Sequence, residues 1–153
     1  MLQGTTESIG TEKKYDTILY IDVLEHIEDD QGEFNRAIDL LKDEGRLIVL
    51  SPAHNYLYSP FDKSIGHHRR YDKPTMRALK SEKVRLQSLF YLDSVGWIFS
   101  LANRFLLSQS MPTIKQILFW DKFIVPISKV VDFIIRFVFG KTIIGVWQKL
   151  PNS

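Results

Sequence analysis

Two short apolar runs joined by one amphipathic segment constrain this chain more than any other feature. The first, Thr17-Ile18-Leu19-Tyr20-Ile21-Asp22-Val23-Leu24, is nearly continuous in its apolar residues and bounded by polar ones. That is the pattern of a strand covered on both faces, and such strands belong mostly to parallel sheets. The second run, Arg46-Leu47-Ile48-Val49-Leu50-Ser51, has the same character. Between them, Asp29, Asp30 and Glu33 put carboxylates where a helix N-terminus favours negative charge. Phe34, Ala37, Ile38, Leu40 and Leu41 then fall on one side of that helix before Gly45 ends it. Strand, helix and strand make a right-handed βαβ unit, whose functional loops lie at the C-terminal ends of the strands. Those ends are residues 22–27 and 51–54.

Beyond them, residues 52–71 form a long irregular stretch, and loops of this length in compact domains are either functional or disordered. Tyr56, Tyr58, Phe61 and Tyr71 argue for the former. Lys73-Pro74-Thr75 opens a short helix through Leu79, and residues 84–93 alternate as a strand. Trp97 to Leu107 carries an apolar helical stripe, Pro112 opens a further helix through Ile117 and Phe119, and Thr142 to Trp147 is a last strand. From Phe123 to Phe139 twelve residues are large and apolar, with Lys129, Asp132 and Arg136 as a narrow polar stripe. So much apolar surface needs a cover. The domain's own core is the expected one, ahead of a second chain and of membrane-surface contact. Spanning a bilayer is disfavoured, since three charges near the centre would cost roughly 2.5–3.5 kcal/mol each.

A chain of 153 residues, 44% hydrophobic and 25% charged, fits one globular domain. Residues 1–14 show no periodicity and are expected to be a loop or frayed terminus, with the domain covering residues 15–153. The absence of cysteine excludes disulfides, thiolate metal sites and a Cys nucleophile. With no apolar signal core in MLQGTTESIGTEKKYD, a cytoplasmic location is expected. Residues 22–44 hold nine acidic against two basic side chains, and residues 62–85 eight basic against three acidic, so charge is segregated along the chain although the net charge is only +2.

The string Tyr15-Asp16-Thr17-Ile18-Leu19-Tyr20-Ile21-Asp22-Val23-Leu24-Glu25-His26-Ile27 resembles the fourth strand and following turn of class I S-adenosylmethionine-dependent methyltransferases, with their "FDxIxxxDVLEHI" pattern. Leu40-Leu41-Lys42-Asp43-Glu44-Gly45-Arg46-Leu47-Ile48-Val49 resembles the family's "LLKPGGxLIV" segment, with Asp43-Glu44 where Pro-Gly is usual. Ser51-Pro52-Ala53-His54 and Gly66-His67-His68-Arg69-Arg70-Tyr71 are similar to the "PAH" and "GHxRRY" elements of the type 12 subgroup. The resemblance implies an α/β fold, the C-terminal half of a Rossmann-like methyltransferase sheet with a helical insertion near the C-terminus. The family's Gly-x-Gly loop and ribose-binding acid are not found: the glycines at 4, 10, 32, 45, 66, 96, 140 and 145 include no Gly-x-Gly. The first three strands are therefore expected to be missing, and S-adenosylmethionine binding by this chain to be weak or absent.

By family position, Ile21, Asp22, Val23 and Leu24 are the cofactor-binding candidates, and His26 and Glu25 the catalytic ones, for cofactor contact or proton removal from an acceptor hydroxyl. His54, His67, His68, Arg69, Arg70 and Tyr71 are the candidates for binding a small or lipid-linked acceptor, two guanidinium forks beside imidazoles being suited to phosphate or carboxylate. The competing reading pairs those cations with Asp62 and Asp72. No metal site is expected, because His26, His54, His67 and His68 lack ligand spacing, and no Gly-x-Ser-x-Gly elbow supports serine hydrolysis. No nucleic-acid module is recognised. The alternative to an enzyme is a non-catalytic assembly module that keeps the fold. A homodimer is expected in either case, because the first apolar strand would lack its neighbour on one side.

Overall fold

The computed structural model describes residues 12–102 and 114–151. Most of the expected N-terminal loop, the end of the helix beginning near Trp97 and the start at Pro112 lie outside these residues. Four strands, β1 (Tyr15–Ile21), β2 (Leu41–Pro52), β3 (Val84–Leu92) and β4 (Thr142–Lys149), form one sheet in the order β1-β2-β4-β3. β1 and β2 run parallel, while β4 is antiparallel to both β2 and β3. Ile21 pairs with Leu50, and Thr142 pairs with both Pro52 and Leu92. The C-terminal ends of β1, β2 and β3 thus meet the start of β4 along one edge.

The crossover from β1 to β2 is α1 (Asp30–Asp39), whose N-cap Asp29 accepts a hydrogen bond from the Gly32 amide at 2.9 Å. Phe34, Ala37 and Ile38 point from it into a core with Leu47, Val49, Ile143 and Trp147, and Phe34 meets the Trp147 ring edge-on at 5.0 Å. The second strand begins at Leu41, before the expected Arg46. Leu41 pairs with Tyr15, and the register then slips to Thr17 opposite Arg46, so that residues 42–45 are accommodated as an irregularity with Glu44 at φ +62°.

The expectation that β1 is covered on both faces is not met among the described residues. Tyr20 is buried on the α1 side, but Leu19 and Ile21 on the other are 55% and 57% exposed. The helices α4 (Ser94–Ala102) and α6 (Val125–Ile134) pack on each other and toward β3, at the far side of the sheet.

The helix expected from Phe123 to Phe139 also differs. α5 (Ile114–Phe119) continues through a π-turn at Trp120–Ile124 into α6, which ends at Ile134, and Arg136 and Phe137 follow with left-handed backbone. The apolar stripe does not line the core: Phe123, Ile127, Val130, Phe133 and Ile134 are exposed, while Ile124, Ser128 and Asp132 face inward. The cause is polar. α4 opens with bare amides, and the Asp132 carboxylate accepts from Asp93 N at 2.7 Å and Ser94 N at 2.9 Å, while Ser128 Oγ donates to Asp93 Oδ1 at 2.6 Å. Satisfying those groups draws Ser128 and Asp132 inward and leaves the apolar side out, while Lys129 and Arg136 of the expected polar stripe stay exposed. No helix among the described residues is long and apolar enough to cross a membrane.

Candidate functional site

At the end of β1, Asp22 takes a positive φ of 51° and turns the chain into a short 3-10 turn, Leu24–His26. Leu24 and Glu25 are buried and His26 is exposed. The Glu25 carboxylate is held from the neighbouring strand by Ser51, whose hydroxyl donates to Oε2 at 2.9 Å. Its backbone carbonyl accepts from the His68 amide at 2.8 Å, which fastens the loop after β2 onto the loop after β1. Glu25 Oε1 has no hydrogen-bond partner. Burial, the largest influence, pushes the pKa of this carboxyl above its ordinary value despite the Ser51 bond.

The loop after β2 is built around Asp62. Ser59-Pro60-Phe61-Asp62 forms a capping box at the start of α2 (Pro60–Ser64), with Ser59 N and Oγ bonded to Asp62 Oδ2 at 2.8 and 2.7 Å. Asp62 also accepts from Arg70 Nε and Nη2, both at 2.9 Å, and lies 3.0 Å from His67 Nδ1. Burial works to raise its pKa, but the Arg70 fork, the Ser59 hydroxyl and His67 outweigh it and hold the carboxyl below its usual range. With Nδ1 engaged, His67 directs Nε2 at Glu25 Oε1, 3.9 Å away, and its ring meets that of His26 edge-on at 4.5 Å. Gly66, at φ +85°, supplies the left-handed backbone before His67, whereas a Cβ there would meet His26 Nδ1 only at an ordinary contact distance of 3.7 Å.

The fold thus gathers Glu25, His26 and His67, which belong to two different loops, so that one ligand atom of each lies within 4.8 Å of the others, and these three could hold a metal ion. Sequence spacing gave no hint of it, because the contact is made across loops. Asp62 and Ser51, which order the cluster, were also missed as site residues. The Ser-x-x-Asp spacing of the capping box was the available signal for Asp62.

The remaining candidates divide. Ile21, Asp22 and Val23 are exposed at the end of β1, whereas the Leu24 side chain is in the core and cannot meet a cofactor. Tyr71 is buried too, its hydroxyl donating to Asp30 Oδ2 at 2.7 Å. Arg70 is taken up by Asp62, and Arg69 by Asp30 at 2.6 Å and the Glu28 carbonyl at 2.7 Å, while His68 is exposed. Asp72 caps α3 (Lys73–Ala78). His54, at φ +64°, lies between the rings of Tyr56 and Tyr91, with centroids 5.0 and 4.9 Å away. Burial lowers its pKa, against the opposing effect of a backbone hydrogen bond at Gly140. An open cleft of about 430 Å3 runs beside Asp30, Asn55, Arg69, Tyr71 and Thr75.

No protein-family profile and no curated protein matches the chain. Among solved structures it is similar to a protein of Bacillus halodurans described as a methyltransferase (TM-score 0.54, 16% identity, 98% of this chain and 71% of that one). It is also similar to the Haloferax volcanii complex of the Trm112 methyltransferase activator with a methyltransferase (TM-score 0.57, 10% identity, 99% and 61%). A third likeness is to a protein of Galdieria sulphuraria described as a sarcosine dimethylglycine methyltransferase (TM-score 0.55, 17% identity, 98% and 58%). The chain spans only part of each. Its fold is class I methyltransferase-like: a partial Rossmann-like sheet of mixed α/β architecture.

Proposed function

We propose that this chain supplies the acceptor-facing half of an S-adenosylmethionine-dependent methyltransferase site. One observation carries the reading: at a shared sheet edge, the loop after β1 is fixed through two hydrogen bonds of Glu25, one to Ser51 at the end of β2 and one to His68 in the loop after β2. In α/β sheets of this kind, ligands bind beyond the carboxyl ends of the strands. Methyl transfer from a sulfonium asks mainly for in-line positioning, so a rigid platform matters more than strong acid–base groups. Ile21, Asp22 and Val23 present the cofactor-facing backbone. His26, exposed beside them, meets the acceptor and takes its proton when that acceptor is a hydroxyl. Sealed Glu25 is a positioning residue. A small or lipid-linked acceptor enters by the cleft that Arg69, 31% exposed, lines together with Arg70 and Tyr71, with His68 on the same loop.

With no Gly-x-Gly loop in the sequence, the chain by itself binds S-adenosylmethionine more weakly than about 0.1 mM. Chemical-shift perturbation by millimolar S-adenosylhomocysteine tests the reading, with shifts expected at residues 21–27 and 51–54. Shifts confined to other surfaces, or none at all, would sink it.

A second reading, a non-catalytic assembly module, is favoured by the outward apolar face of α5 and α6. It predicts tight self-association with no response to the cofactor product.

A further inference from the structure

We propose that Glu25, His26 and His67 form a binding site for a divalent transition-metal cation of borderline softness, such as Zn2+ or Co2+. Glu25 offers a buried carboxylate oxygen, Oε1, with no hydrogen-bond partner, and an orphaned buried acceptor costs on the order of 1–3 kcal/mol unless something meets it. What faces that oxygen is His67 Nε2 at 3.9 Å, too far for a hydrogen bond. The gap is a few tenths of an ångström wider than the roughly 3.3–3.6 Å that two bonds of roughly 2.0–2.2 Å subtend at a tetrahedral ion, so a small approach of the two side chains would seat an ion between them. His26 closes the third side.

The surroundings are those of a supported metal ligand. His67 Nδ1 lies 3.0 Å from Asp62, and Asp62 is itself fixed by Arg70 and Ser59. A carboxylate on one imidazole nitrogen fixes the tautomer that leaves the other nitrogen's lone pair free, and it orients the ring. Ser51 does the same for Glu25 by engaging Oε2 and leaving Oε1 free. Asp22, whose charge acts on Glu25, adds negative potential at the same strand end.

Two imidazoles and one carboxylate select against Mg2+ and Ca2+, which prefer all-oxygen shells, and in favour of Zn2+ or Co2+. Three protein donors leave coordination positions open on the exposed His26 side. If the methyl-transfer reading holds, a bound cation would make His26 a ligand instead of a free base and would itself polarise the acceptor oxygen. That consequence rests on the proposed function, whereas cation binding does not.

The test is titration of the metal-stripped chain with Co2+, followed by its visible absorption and by calorimetry, with Zn2+ as competitor. One equivalent is expected to bind with micromolar affinity, and His26→Ala and Glu25→Gln to weaken binding at least about tenfold. His68→Ala, one residue from His67 but outside the cluster, is expected to bind as the parent chain does. His26 is exposed, so its replacement leaves the fold intact even if Glu25→Gln does not. No saturable binding by folded protein, binding undiminished in His26→Ala, or a preference for Mg2+ over Co2+ would each overturn the proposal. Binding of the cation without any response to S-adenosylhomocysteine would leave the site standing and remove the methyl-transfer reading alone.

Discussion

Asp62 engages Arg70 through both carboxylate oxygens, each 2.9 Å from a guanidinium nitrogen, in a place where the acid is 1% exposed and the arginine side chain 12%. The pair ties the end of the irregular loop to its middle, and with it the orientation of His67. Removing one member leaves the other charge largely desolvated, which costs more than the pair contributes. Asp62→Ala is expected to lower unfolding stability by about 3 kcal/mol. Arg70→Lys should retain only part of the interaction, because a single ammonium cannot make the two-pronged contact. Urea unfolding of both variants checks this, and a loss under about 0.5 kcal/mol for Asp62→Ala would show that the loop does not depend on the pair.

Asp132 and Phe133 are neighbours on α6 with opposite fates. The acid is 2% exposed and satisfies two amides at the start of α4, while the phenylalanine is 75% exposed. Replacing Asp132 with Ala therefore costs about 2 kcal/mol through the unsatisfied amides. Replacing Phe133 with Ser changes the stability of the single chain by less than about 0.5 kcal/mol. Hydrophobicity alone predicts the reverse order. Thermal or urea unfolding of the two variants under conditions where the chain does not associate distinguishes them.

That inversion also shows where sequence reasoning stops. The βαβ unit and the strands near 84–93 and 142–147 were legible from periodicity, but the polar stripe read at 129, 132 and 136 is not one face of the helix: Asp132 is buried while Lys129 and Arg136 are exposed. Periodicity does not say which side faces the protein. That was decided by the amides of Asp93 and Ser94, nearly forty residues earlier, and no local pattern announces their need. Likewise the Asp22–Ile27 turn was readable from its resemblance to a known family, but the joining of Glu25 to His67 depends on how the loop after β2 folds back. The left-handed backbone of His54 carried no signal either, since it occurs at a residue other than glycine.

His54 gives a pH dependence. Its folded pKa is lowered, chiefly by burial between aromatic rings, while in the unfolded chain it stays near the ordinary value of about 6.5. Between the two values the unfolded state binds the extra proton, so stability falls as pH falls through about 6.5 and levels off below the folded pKa. Above about pH 8 the residue is neutral in both states and contributes no slope. His54→Phe keeps the stacking and loses the titration, so the difference in urea midpoint between pH 7.5 and pH 5.5 should shrink in this variant. An unchanged difference would assign the acid sensitivity to other groups.

The last prediction concerns association. Two apolar surfaces are open among the described residues: the β1 edge with Leu19 and Ile21, and the outer face of α5 and α6 with Val130 and Phe133. A strand edge bearing unpaired N–H and C=O groups beside apolar side chains is a template for another strand, and exposed apolar patches of this kind mark contact sites. A twofold arrangement closes either patch on its own copy, so the expected species is a homodimer. Leu19→Lys puts a charge on the strand and disfavours edge pairing, while Val130→Lys with Phe133→Lys does the same for the helical face. Light scattering at micromolar concentration should show a dimer for the parent chain and a monomer for one variant, identifying which surface is used. If both variants remain dimeric, the contact lies elsewhere. A monomeric parent chain would refute the expectation, and would mean that both surfaces are stable in water or are covered by a partner other than a second copy.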